Sequence, residues 1–113
     1  MKSDRLYLIH IQECIRRIEQ YAAPGRIAFD TDIKTQDAVL RNLQTLAEST
    51  QRLSPAIKAR HAEVDWTAIA GFRNVLVHGY LGVNLSRIWE IVERDLSFLK
   101  AEVTAMLAEF GPE

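Results

Sequence analysis

Apolar residues return every three or four positions along nearly the whole chain, a period that suits amphipathic helices and not strands. The longest run comes last. Leu85, Ile88, Trp89, Val92, Leu96, Leu99, Val103, Met106 and Leu107 make one stripe in a helix expected to reach about Phe110, with Asn84 as its cap. Ile91 and Phe98, one heptad apart, sit on a different side and suit contact with a partner subunit. Near the start, Tyr7, Ile11, Cys14, Ile15, Ile18 and Tyr21 repeat the pattern, and Asp4 is the expected cap. Leu6 and Ile9 lie off that stripe and suggest a second contact face. Ala22-Ala23-Pro24-Gly25-Arg26 breaks this helix, and a connecting loop is expected through Asp32. A second helix carries Val39, Leu40, Leu43, Leu46, Ala47 and Leu53 on one face. Ser54-Pro55 reads as a cap followed by a first-turn proline, opening a short helix to about Arg60. Asp65 caps the next helix, from Trp66 towards His78, which Gly79 and Gly82 are expected to end. No stretch alternates like a strand between hairpin turns. The expected fold is all-α: one domain over residues 1–113, its core at about 4–110, built as an antiparallel bundle of four main helices plus a short extra helix.

Composition narrows the function classes. Of 113 residues, 48% are hydrophobic, which is too many for a disordered chain. The formal net charge is −1, so no global basic field advertises nucleic acid, and any RNA contact must be local or built across an oligomer. The single cysteine, Cys14, falls on an apolar helical face and reads as a buried structural thiol. No Cys/His cluster has zinc spacing, and no metal or cofactor site is expected. Met1-Lys2-Ser3-Asp4-Arg5 leads directly into a charged amphipathic segment rather than a signal peptide, and no apolar run has membrane-spanning length. The expected location is the cytoplasm.

One segment resists a purely structural account. Phe72-Arg73-Asn74-Val75-Leu76-Val77-His78-Gly79-Tyr80 places four polar side chains in an apolar stretch, where unpaired polar groups are costly. Histidine moves protons near neutral pH, and arginine clamps phosphates with a planar fork. Asn74 and His78 are four apart and share a face. Arg73 and His78 are five apart, roughly 140° around the axis, so a straight helix does not aim both at one atom. Either His78 sits on an irregular last turn, or two subunits bring Arg and His to a shared cleft. Together the pair suits a phosphodiester: His as general acid or base, Arg against charge on the phosphoryl oxygens. Spacing alone favours a structural alternative, with Arg73 paired to an acid, His78 capping a helix end and Tyr80 packed with its hydroxyl in water. Other candidates are weaker. His10 and His61 stand alone, and Glu13, Glu48, Glu63, Glu90 and Glu93 read as solvated faces. Ile57-Lys58-Ala59-Arg60-His61 and Arg16-Arg17 read as solvated basic clusters, and Trp66 and Trp89 as core residues.

These residues resemble the HepT-like branch of the HEPN superfamily. Its pattern is Arg, a polar residue, spacers, His, and a tyrosine two residues later, which Arg73-Asn74, His78 and Tyr80 match. Asp37-Ala38-Val39-Leu40-Arg41-Asn42-Leu43, Asp65-Trp66 and Ile88-Trp89-Glu90-Ile91-Val92 extend the likeness over about Leu6 to Leu107. The resemblance implies a helical homodimer acting as a metal-independent ribonuclease, the toxin of a toxin–antitoxin pair. By the same likeness, Arg73 and His78 are catalytic in a composite cleft, and Asn74 is a supporting polar residue. Tyr80 is the adenylylation acceptor for a partner antitoxin of the minimal nucleotidyltransferase type. The pattern departs at Gly79, where aspartate is frequent, which removes a charge beside the histidine. A different class of reading uses the same motif: a non-catalytic helical subunit that presents a small molecule or Tyr80 to a nucleotidyltransferase. A plain helical dimer with a degenerate site is a third.

Overall fold

The computed structural model describes residues 3–78 and 82–110. Among them there is no strand. The helices are α1 (Asp4–Ala22), α2 (Arg26–Thr31), α3 (Ile33–Gln51), α4 (Pro55–Arg60), α5 (Trp66–His78), α6 (Leu85–Glu90) and α7 (Leu96–Ala108). A π-helical segment, Ile91–Asp95, joins α6 to α7, so the last three pieces form one long helix. The expected all-α bundle is observed: four long helical units, α1, α3, α5 and α6–α7, with short additions.

Ends and caps explain the boundaries. Ser3, not Asp4, caps α1, its hydroxyl accepting from the Leu6 amide at 3.4 Å. Asp4 is occupied elsewhere, accepting from the Ser54 amide at 2.8 Å and the Ser54 hydroxyl at 2.6 Å. This bond fastens the start of α1 to the end of α3, so the two helices run antiparallel. Ser54, Asp65 and Asn84 all cap as the sequence predicts, accepting from the amides of Ile57, Ala68 and Ser86 respectively.

The expected loop before Asp32 is a correction. Residues Arg26–Thr31 coil into α2 after Gly25, whose φ of +101° suits a residue without a side chain. Phe29 anchors that turn against Trp89, ring centroids 5.3 Å apart, and is 1% exposed. Arg26 ties it further to Ser86, at 2.8 Å, and to Asp30.

The long final helix runs from the Asn84 cap as expected, but a π turn interrupts its α geometry. The Leu96 amide reaches back five residues to the Ile91 carbonyl, which makes the π turn. The Trp89 indole N–H donates to Glu93 at 2.9 Å across this region.

The core gathers Leu8, Ile11, Ile15 and Ile18 of α1 against Val39, Leu40, Leu43 and Leu46 of α3. Leu76, Ile88, Val103 and Met106 close it from the other helices. Leu8, outside the predicted stripe, is fully buried, whereas Tyr21, inside it, is exposed. α5 packs on α3 and α7 packs on α1. Lys100 on α7 pairs with Glu19 at 3.0 Å, which brings α7 alongside the C-terminal end of α1. No described helix is long and apolar enough to cross a membrane.

Candidate active site

α5 begins cleanly because Asp65 caps it and the Trp66 indole N–H donates to the carbonyls of Lys58 and His61. It is an apolar helix, yet only Leu76 is buried in it. Phe72 and Ile69 pack partly against the core. Gly71, Asn74, Val75 and His78 are all exposed. Their spacing of three, one and three places them on one strip along α5. Val75 is 54% exposed within that strip. The polar motif therefore lies on a helix that the fold leaves largely uncovered on one side.

Arg73 points the other way, towards α3. Its Nη2 donates to Glu48 Oε2 at 3.3 Å, and its Nη1 donates to Asn74 Oδ1 at 3.4 Å. Its Nε is buried without a hydrogen-bond partner among the described residues. His78 occupies the last turn of α5 and is exposed. Arg73 and His78 thus diverge as their five-residue spacing dictates. The Asn74 oxygen contacts the arginine rather than His78 in this arrangement. Tyr80 and Gly79 lie outside the described residues.

Glu48 is the residue that sequence reasoning passed over. An acid for Arg73 is part of the structural alternative, but which acid depends on the register of α3 against α5, which no single-helix pattern carries. His61 is not isolated either. Its ring bonds Glu109 and stands 3.5 Å from Glu102, and Arg60 joins the cluster through Glu109 at 3.0 Å. The Glu109 bond, seconded by Glu102, holds the His61 pKa above its ordinary 6.5. His61 and then Arg60 hold the Glu109 carboxyl below its ordinary 4.5. Lys58 lies over the Trp66 ring at 5.8 Å, so this basic cluster is engaged within the fold rather than free in solvent. Cys14 is buried, and burial pushes its thiol up. Among the described residues no group of His, Cys, Asp and Glu is placed to hold a metal.

Beside the motif strip lies a groove of about 410 Å³ between α3, α5, the π segment and α7. Leu43, Ile69 and Phe72 line it, and so do Ile91 and Phe98. The two residues set aside by the heptad pattern thus meet at one surface. Phe98 is 49% exposed.

With this geometry in view, comparison with known proteins is decisive on one point. Residues 11–106 match the ribonuclease HepT-like family. The chain belongs to that family. It is 35% identical over 108 residues to a protein of Caldanaerobacter subterraneus named a “Putative RNase”, covering 95% of this chain and 96% of that one. It is 34% identical over 104 residues to the “Probable ribonuclease HepT” of Thermococcus cleftensis, covering 89% and 93%. It is also 32% identical over 109 residues to a “Gamma-glutamylcyclotransferase and putative RNase” of Methanocaldococcus jannaschii. That match takes in 96% of this chain but 49% of the relative, so here the chain spans about half of a longer protein. No solved structure matches the chain. The HepT-like membership expected from Arg73-Asn74, His78 and Tyr80 is borne out, and the helical bundle is the fold that carries it.

Proposed function

We propose that this HepT-like protein is a metal-independent endoribonuclease, the toxin of a toxin–antitoxin pair, with its active site shared between two copies. The observation that carries the reading is the α5 strip: family motif residues stand exposed beside Val75 and Gly71 on a helix left uncovered. An exposed valine in an apolar strip is surface that a second copy would bury. Gly71 has nothing within 4 Å of where a side chain would begin, which leaves room for a close neighbour. Pairing two α5 helices about a two-fold axis would bring His78 of one copy onto the strip of the other, at whose edge Asn74 contacts the Arg73 guanidinium, which eases the angular mismatch within one helix. His78 then serves as general base for a ribose 2′-hydroxyl or acid for the leaving oxygen, and Arg73 stabilises charge on the phosphoryl oxygens. Tyr80 is the acceptor for an adenylyl group delivered by a nucleotidyltransferase antitoxin. A bulky anion two residues from His78 competes with RNA phosphate, which inactivates the toxin.

The test is cleavage of total cellular RNA in EDTA by wild type, Arg73→Ala and His78→Ala. Wild type is expected to cleave and each variant to lose activity. Mixing the two inactive variants and letting subunits exchange restores roughly a quarter of wild-type activity if each cleft takes Arg73 and His78 from different copies. No recovery from a confirmed mixed dimer rejects the shared cleft. A folded wild type with unmodified Tyr80 that leaves RNA intact rejects the ribonuclease and favours the substrate-presenting subunit.

A further inference from the structure

We propose that Glu48 is the positioning residue for Arg73, holding the guanidinium in place for an incoming RNA phosphate and yielding its bond when the phosphate arrives. The inference rests on the ribonuclease reading for its catalytic consequence, but not for its structural half.

Three features of Arg73 converge. Arg73 is held by another helix: Glu48 reaches it from α3 at 3.3 Å, one turn before that helix ends. Among the described residues its Nε has no hydrogen-bond partner, and the side chain as a whole keeps 29% exposure, so the guanidinium is held by its terminal nitrogens and not at Nε. Its second terminal nitrogen is steered by Asn74 at 3.4 Å. An arginine on an exposed helix face otherwise samples many rotamers, and ordering them on binding weakens both affinity and aim. Here that ordering is completed before substrate binds. The bonds doing so are single and long, and both partners are partly exposed, so they are weak enough to exchange. A phosphate offers charge-assisted bonds to the same nitrogens and displaces Glu48. The carboxylate therefore has two opposed effects: it aims the arginine, and it repels the phosphate that must take its place.

That opposition gives a signature that a merely structural residue lacks. Glu48→Ala is expected to lower kcat about tenfold through misplacement of Arg73, while KM falls because a negative charge leaves the cleft. Glu48→Gln keeps the length and an acceptor oxygen without the charge. It should recover much of kcat and retain the lowered KM. Values of kcat within about twofold of wild type in both variants would overturn the proposal, as would a raised KM. A second readout needs no RNA. In ¹⁵N relaxation, the Arg73 Nε–Hε vector should be rigid in wild type, mobile in Glu48→Ala and intermediate in Glu48→Gln. An equally rigid vector in Glu48→Ala sinks the proposal whatever the kinetics. If wild type cleaves no RNA, the ribonuclease reading fails by itself, and the relaxation result still decides whether Glu48 orders Arg73.

Discussion

Half-burying a guanidinium on an apolar helix costs hydration, and Glu48 and Asn74 supply the polar contacts that offset it. Because the Arg73–Glu48 pair stays partly exposed, with 29% and 39% of the two side chains accessible, its own contribution to stability is at most about 1 kcal/mol. Arg73→Ala should therefore shift a urea-denaturation midpoint only slightly. Leu8→Ala is the contrast. Leu8 is fully buried, so the variant leaves a cavity and should cost about 2–5 kcal/mol. If Arg73→Ala unfolds as readily as Leu8→Ala, its loss of activity says nothing about chemistry. The sequence makes Arg73, Asn74, His78 and Tyr80 conspicuous because polar groups interrupt an apolar run. It does not pick out Glu48 among the surface glutamates, since helix spacing describes one helix and the contact belongs to two.

Caps and breakers are local chemistry, and most of the element boundaries follow from them. Ser54, Asp65 and Asn84 are legible because a side-chain oxygen three residues before an amide is a short-range relation. Ser3 and Asp4 are both good caps, and the long-range bond from Asp4 to Ser54 decides between them. α2 escapes detection because six residues show no period, and its stability comes from Phe29 meeting Trp89 far along the chain. The π turn is equally silent, since the steps Ile88, Val92, Leu96 also fit an ordinary α-helix. Asn84→Ala, which removes the acceptor for the amides of Ser86 and Arg87, should cost about 1 kcal/mol by thermal or urea melting. The junction of α4 with α7 titrates. His61 is raised by Glu109, so its stabilising contribution is complete below the ordinary 6.5 and is lost as pH rises through the folded value. Glu109 is lowered by His61, so its contribution is lost as pH falls from 4.5 through its folded value. The tie is thus strongest between about 4.5 and 6.5. Wild type should exceed His61→Gln in melting temperature more at pH 5.5 than at pH 8.5. An advantage of equal size at both would show that the ring's charge plays no part.

For the whole molecule, the arrangement of exposed apolar groups separates two ways of pairing copies. Val75 belongs to the α5 strip that carries Asn74 and His78, while Phe98 belongs to α7 and the wall of the groove. Phe72 and Ile69 of α5 line the same groove as Phe98, so a second copy laid along this helix can cover both positions together. A specific interface buries about 800 Å² per partner, more than one valine strip offers, which makes the groove rim a needed part of the contact. A charge placed at either position would be buried in such a dimer without a partner and would cost several kcal/mol of association. If two copies pair as proposed, Val75→Glu and Phe98→Glu should each leave a monomer in sedimentation velocity and abolish RNA cleavage. Helical circular dichroism should stay intact, because both side chains are exposed in the single chain. A dimer that survives Val75→Glu but not Phe98→Glu would pair through the groove alone and leave His78 facing solvent. In that case the motif would have to work within one copy, against the roughly 140° that separates Arg73 from His78 around α5.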